Sequence, residues 1–316
     1  MVYSRTYLNS FKSKNGYPTN EQHNVTQQLI NKLYDDSELS LSEEQYACNA
    51  LSSLRSDDPE FRIKLYEVEK CKNYWFRDRY LLYYSDLNGY RSKRDFYGEL
   101  GNEQKQLDIE YLESEYQKWS QIIGSKTQEK LIGEVAKETK SQIKTIKKHC
   151  QNLNIGYFRH EYLKKEIVLH GKYIYYLVKE FYQELGSDHE TVTLFNCEIL
   201  IDSYCYVHIL FRHFASQVKE HQASKSYHFD ENIRFDMIPQ FLKLVIIKFS
   251  ENISETDFDG RTIYFSFHNK KYLIGINQNQ KLTTFYPISE PSILNVINGY
   301  NSAVINNELT FLLPNK

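Results

Sequence analysis

His208-Ile209-Leu210-Phe211-Arg212-His213 sets two histidines and an arginine into an otherwise apolar segment. Further along lie Lys225-Ser226-Tyr227-His228, a strand-like run from Arg261 to His268, and the pair Thr283-Thr284. Histidine is the side chain that titrates near neutral pH, and arginine and lysine are fixed cations. Together these types can cleave RNA without a metal. One group takes the ribose 2′-hydroxyl proton, another protonates the leaving oxygen, and a cation steadies the phosphorane between them.

Spacing limits which of them can cooperate. His208 and Arg212, four residues apart, share one face of a helix, whereas His213 lies about 140° round from His208 and is expected to point elsewhere. Each of the two histidines is also readable as a half-buried packing residue, and the His208–Arg212 pair is the preferred site. Lys225, Ser226 and His228 sit in a polar stretch that is either a functional loop or a solvated one. On the strand, alternation puts His268 on the polar face with Tyr264 and Ser266, while Arg261 has the opposite parity unless a bulge re-aims it. Thr283 and Thr284 are neighbours, so only one can face a site, and threonine is common in strands for packing alone. Lys137, Lys140, Lys144 and Lys147/Lys148 recur at three- and four-residue spacing opposite Val135, Thr139, Ile143 and Ile146. That stripe is either a phosphate-tracking face or an ordinary solvated one.

The elements that must hold these residues fall into two groups. Helical periodicity covers 24–34, 42–54, 58–84, 102–123, 126–153 and 161–185, with turn signals at Asn88-Gly89, Gly98 to Gly101, Gly124-Ser125 and Asn154-Ile155-Gly156. The aromatic run Asn73 to Tyr84 reads as buried helix core rather than a base-stacking platform. Gly186-Ser187-Asp188 ends the last of these helices, and the domain boundary is placed there. Beyond it, Thr191 to Leu200 is β-like, Asp202 or Ser203 caps a helix through Phe214, and Pro239 to Phe249 is an apolar helix. Arg261–Asn269, Tyr272–Asn277 and Lys281–Pro287 follow as strands, with a turn at Asn269-Lys270-Lys271 and a last element at Leu309 to Leu313. The expected class is α+β: an all-helical domain over 1–186, then a small domain over 187–316 whose leading helices pack on a curved antiparallel sheet.

Composition excludes other classes. The 316 residues are 41% hydrophobic and 25% charged, as in a soluble globular protein, and a net charge of −2 makes any polyanion site a local patch. Residues 187–316 hold 11 Lys+Arg against 14 Asp+Glu and six of the ten histidines, a near-neutral unit suited to acid–base chemistry. Of those histidines, His189 and His221 read as surface residues. Five cysteines with no Cys-x-x-Cys pair predict reduced thiols and a cytoplasmic setting, with no zinc site. No apolar run reaches a membrane span, and the N-terminal residues form no signal peptide. His-Glu-x-x-His, a phosphate-binding Gly-x-x-x-x-Gly-Lys-Ser/Thr loop and a Gly-x-Ser-x-Gly elbow are all missing, which sets aside metalloproteases, P-loop ATPases and serine hydrolases and predicts no metal or cofactor.

The His208 to Phe214 helix, Lys225-Ser226-Tyr227-His228 and the closing Leu282-Thr283-Thr284-Phe285-Tyr286-Pro287 resemble the barnase, EndoU, colicin and RelE-like (BECR) ribonuclease superfamily, over about Thr191 to Pro287. The resemblance implies that His208 or His213 is the acid–base residue and that Thr283 or Thr284 binds the scissile phosphate. It implies that Arg212, Lys225 or Arg261 supplies the cation. It further implies an endoribonuclease toxin or anti-phage effector acting on tRNA or other RNA, with a neutralising protein partner. The expected catalytic set is His208, Arg212, His213, Lys225, His268 and Thr284. The RNA-binding set is Ser226, His228, Arg261, Thr283, Lys144 and Lys148. The rival expectation is a non-catalytic interaction protein built on a degenerate nuclease-like domain.

Overall fold

A computed structural model describes residues 2–11, 19–35, 112–126, 129–152, 157–213, 237–288, 302–304 and 309–313, with single positions at 37, 39–40, 42–43, 46–47, 110, 233 and 293. The expected helix over 58–84 with its aromatic run, and Lys225, Ser226 and His228, lie outside the described residues. Every regular element described before His189 is a helix, and those after it mix helices with antiparallel strands, so the fold is α+β. None of the described helices is long and apolar enough to cross a membrane.

The chain divides into two compact units, Met1–Gln121 and Ile122–Lys316. In the first, α1 (Arg5–Ser10) and α2 (Asn20–Tyr34) are each started by a hydroxyl cap, Ser4 accepting from the Tyr7 N–H and Thr19 from the Gln22 N–H. Their apolar faces meet in a cluster of Leu8, Val25, Leu29, Ile30, Leu39 and Ala47. Glu43 is buried beside it and accepts from the Lys32 ammonium at 3.2 Å and the Tyr3 N–H at 3.0 Å.

The second unit begins 65 residues before the expected boundary at Gly186–Ser187, because two helices assigned to the first half belong with the second. α3 (Lys130–Asn152) buries Val135, Thr139, Gln142 and Ile146, and α4 (Tyr157–Leu185) is buried on almost all sides from Leu163 to Tyr182. Both pack against α5 (Ser203–His213). Gly186, at φ +66°, ends α4 as a left-handed C-terminal residue but ends no domain. α4 meets α3 tightly at Gly171, where an added Cβ would stand 2.7 Å from Thr139 Oγ1 and 3.4 Å from Phe211 Cζ. Thr139 cannot easily swing aside, since its hydroxyl donates to the Val135 carbonyl at 2.8 Å. Gly171→Val is therefore expected to destabilise this unit by about 2 kcal/mol through overpacking, read as a lower urea midpoint at unchanged slope.

After α4 the hairpin β1 (His189–Leu194) and β2 (Cys197–Asp202) leads into α5, and α6 (Ile238–Asn252) leads into the main sheet. That sheet contains β3 (Thr262–Phe267), β4 (Lys270–Ile276), β5 (Leu282–Pro287), β6 (Ser302–Val304) and β7 (Leu309–Leu312), ordered β5-β4-β3-β7-β6 and antiparallel throughout. Alternation decides its faces. Ile263, Phe265, Tyr272, Ile274, Leu282, Phe285 and Phe311 are buried, and Phe241 and Phe249 of α6 pack their rings against Phe265, Phe285 and Phe311. The edge strand β5 is covered. The Leu200 N–H of β2 donates to the Gln280 carbonyl at 2.8 Å, bridging to Lys281, and α5 lies along the strand.

Two contacts hold α5 to β5. Asp202 caps the helix by accepting from the Cys205 N–H at 3.1 Å and takes the Lys281 ammonium at 2.5 Å. At the other end His213 stacks on Tyr286 with ring centres 5.0 Å apart. Eleven helical steps of 1.5 Å and five strand steps of about 3.3 Å both span roughly 16 Å, so helix and strand match in length between these pins.

Candidate functional site

α5 is buried at every position except Tyr204, His208 and Arg212, which recur every four residues and form one stripe. That stripe faces α3, and all three side chains converge on one carboxylate. Glu138, 2% exposed, accepts from the Tyr204 hydroxyl at 2.9 Å, from His208 Nδ1 at 3.4 Å and from Arg212 Nε at 3.1 Å. Arg212 Nη2 also reaches the Ser141 hydroxyl at 3.4 Å. His208 and Arg212 keep side-chain exposures of 24% and 26%, so the carboxylate is sealed while the two basic groups reach solvent.

Burial alone would raise the Glu138 pKa. The His208 hydrogen bond, the Arg212 charge and the bonds from Tyr204 and Arg212 outweigh it and hold the group at about 2. Glu138 is thus ionised at neutral pH and only accepts. A hydrogen bond to this carboxylate needs a proton on His208 Nδ1, which leaves Nε2 as the ring nitrogen turned away from Glu138. Tyr204 is pushed up to about 12 by burial and by its bond to Glu138, so its phenol stays protonated. One turn earlier on α3, Glu134 accepts from the Ser203 hydroxyl at 2.5 Å, and its pKa is raised by burial, with the Asp202 charge adding to the shift. Two carboxylates four residues apart therefore shift in opposite directions, because only Glu138 has a histidine and an arginine on it.

His213 is nearly buried at 8% exposure. Its ring centre lies 6.3 Å from that of His208, tilted 68°. The expectation that the two would point apart is corrected in part. The Cβ directions do diverge round the helix, but helical side chains lean toward the N-terminus, which brings the His213 ring back toward His208.

The remaining expected residues do not join this cluster. His268 is not on the polar face of a strand. It occupies the first position of the two-residue β3–β4 turn, at φ +45° with Asn269 at φ +64°, the pair of positive angles a tight hairpin requires. Arg261 is exposed just before β3, with its N–H on the Asp259 carboxylate at 2.8 Å. Arg261 and His268 thus stand at opposite ends of β3, about 20 Å apart, and cannot serve one phosphate together. His268→Ala is expected to leave any nuclease rate within twofold of wild type, measured on the same RNA.

Thr283 is the extra residue of a bulge, since β4 and β5 shift register between Gly275 and Ile276. Its hydroxyl donates to the Gly275 carbonyl at 3.0 Å, and Thr284 stands opposite Gly275, where a Cβ would meet its methyl at 3.0 Å. Both threonines close over the glycine, so local packing accounts for them. Lys144 and Lys148 are exposed on α3, as the stripe predicts.

The residues that sequence reasoning missed are Glu138, Tyr204, Ser141 and Glu134. Two signals for them were present: Glu134 and Glu138 are the acidic residues at i, i+4 within a lysine-rich helix, and Tyr204 continues the His208–Arg212 spacing backwards. Among the described residues, no group of three or more His, Cys, Asp or Glu side chains is placed to hold a metal ion. Comparison with protein-family models, with curated proteins and with solved structures finds no match for this chain.

Proposed function

We propose that the unit from Ile122 to Lys316 is a metal-independent endoribonuclease acting on tRNA or another RNA. The observation that supports this most is the His208 ring, held through Nδ1 by a sealed, ionised Glu138 with the Arg212 guanidinium on the same carboxylate. In the proposed reaction His208 Nε2 takes the proton from a ribose 2′-hydroxyl. The 2′-oxygen then attacks the adjacent phosphorus, and the bond to the 5′-oxygen breaks. A protonated group must return a proton to that oxygen, and His213, one ring distant, is the candidate. Arg212 offsets charge on the phosphorane. Glu138 orients both groups and touches no substrate atom. The products are a 2′,3′-cyclic phosphate and a free 5′-hydroxyl, with atoms balanced and no metal required.

As a toxin or defence effector such an enzyme would need a neutralising or regulatory protein partner. A reducing, cytoplasmic setting fits Cys150, Cys197 and Cys205, none of which is in a disulfide. The test is incubation of the purified chain with total tRNA in excess chelator: cleavage supports the proposal, and cleavage seen only after a divalent ion is restored refutes it.

One observation favours a second reading, a non-catalytic interaction protein. Glu138 satisfies Tyr204, His208 and Arg212 at once, so the α3–α5 seam is complete as a structural joint. RNA binding by the wild-type chain with no cleavage under any ionic condition would select it.

A further inference from the structure

Every charged side chain on the solvent side of α3 beyond its first turn is a lysine. Lys137, Lys140, Lys144, Lys147 and Lys148 are all exposed, while the acidic residues of the same stretch, Glu134 and Glu138, face α5. At 100° per residue the five lysines fall within an arc of about 100°. By contrast, Lys118, Lys164, Lys243, Lys248 and Lys281 each meet a carboxylate within 4 Å. None of the five on α3 has an ion-pair partner among the described residues. Lys137 instead lies 4.6 Å over the Tyr204 ring. In a chain of net charge −2, this is a local concentration of unmatched positive charge.

The row is continuous with the His208 site. Arg212 bonds Ser141, and Ser141 has Lys137, Lys144 and Lys148 as its neighbours one and two turns away on the same helix side. Lys137, against Tyr204, ends the row at the seam itself. From Lys137 to Lys148 the helix rises about 16 Å, with a cation every turn or less. The row is one helix wide, and residues beside it such as Ser141, Ile143 and Thr145 are uncharged. A duplex presents phosphates of two strands across a groove and would need flanking cations. A single strand needs only a line of them.

We infer that the lysine row of α3 is a phosphate track for single-stranded RNA, leading the strand to His208 and Arg212. The choice of RNA rests on the ribonuclease reading. It also fits the chemistry, since in-line attack by a 2′-hydroxyl needs a nucleotide released from helical stacking. Lys137 anchors the phosphate nearest the seam, and Lys140, Lys144, Lys147 and Lys148 neutralise those further along.

The experiment uses the full chain and a fluorescein-labelled 2′-O-methyl oligonucleotide, which lacks the nucleophile and cannot be cut by this route. Anisotropy titrations across a sodium chloride series give affinity and salt slope. In the quadruple variant Lys140→Gln, Lys144→Gln, Lys147→Gln, Lys148→Gln the affinity at 100 mM salt should fall at least tenfold. The slope of log K against log salt should become shallower by about 3, at about 0.7 per lost contact. The control pair Lys118→Gln, Lys248→Gln should change neither. Tight, lysine-dependent binding by a chain that cuts no RNA would sink the ribonuclease reading and leave the track standing. Unchanged slope in the quadruple variant, tighter binding to duplex than to single strand, or capture by phosphatidylserine vesicles but not by the oligonucleotide would each overturn the track.

Discussion

His208→Ala is expected to lower RNA cleavage by about 10²–10⁴, the usual worth of a general acid–base group, while the chain stays folded. His208 is a quarter exposed and provides one of the three side-chain hydrogen bonds to Glu138, so its removal leaves Tyr204 and Arg212 in place. The loss should appear in kcat more than in KM, because the ring acts on the reacting proton and not on binding. His189→Ala is the matched control. His189 lies exposed beside Asp188, and its loss should change cleavage by less than twofold. A full rate in His208→Ala would remove the acid–base role.

Glu138→Gln is expected to cost about 3 kcal/mol at pH 7, the lower end of what breaking a buried ion pair costs, since Arg212 and His208 can turn partly to water. The pH dependence follows from the same group. Its folded pKa of about 2 lies below the unfolded value of about 4.3, so its stabilisation is complete above that unfolded value and is lost as pH falls toward 2. The difference corresponds to roughly 3 kcal/mol. Urea unfolding followed by circular dichroism should show the gap between wild type and Glu138→Gln closing between about pH 5 and 2. A gap that stays constant over that range would mean that Glu138 is not held down by its partners.

Much of the second unit was legible because its residues alternate. Ile263 and Phe265, on the parity opposite Tyr264 and Ser266, are in the core, and Asp202 caps α5 as its side chain suggests. The β3–β4 turn slipped by one residue, because Asn269-Lys270-Lys271 looks like a polar loop while His268 hides a positive φ that its residue type does not announce. The domain boundary failed for a different reason. Periodicity shows that α3 has a buried face but not which neighbour buries it, and Gly186 is as good a helix end as a domain end. His208 and Arg212 were visible from their spacing. Glu138 was not, because it meets them from 70 residues away, and only the packing of α3 on α5 makes that contact.

The chemistry of the product ends tests the central claim most directly. A short RNA of defined sequence, digested by the chain in excess chelator and resolved by mass spectrometry, should yield 5′ fragments ending in a 2′,3′-cyclic phosphate and 3′ fragments beginning with a 5′-hydroxyl. Ends bearing a 3′-hydroxyl and a 5′-phosphate would contradict it, since the 2′-oxygen would then not be the nucleophile and His208 would have no proton to take.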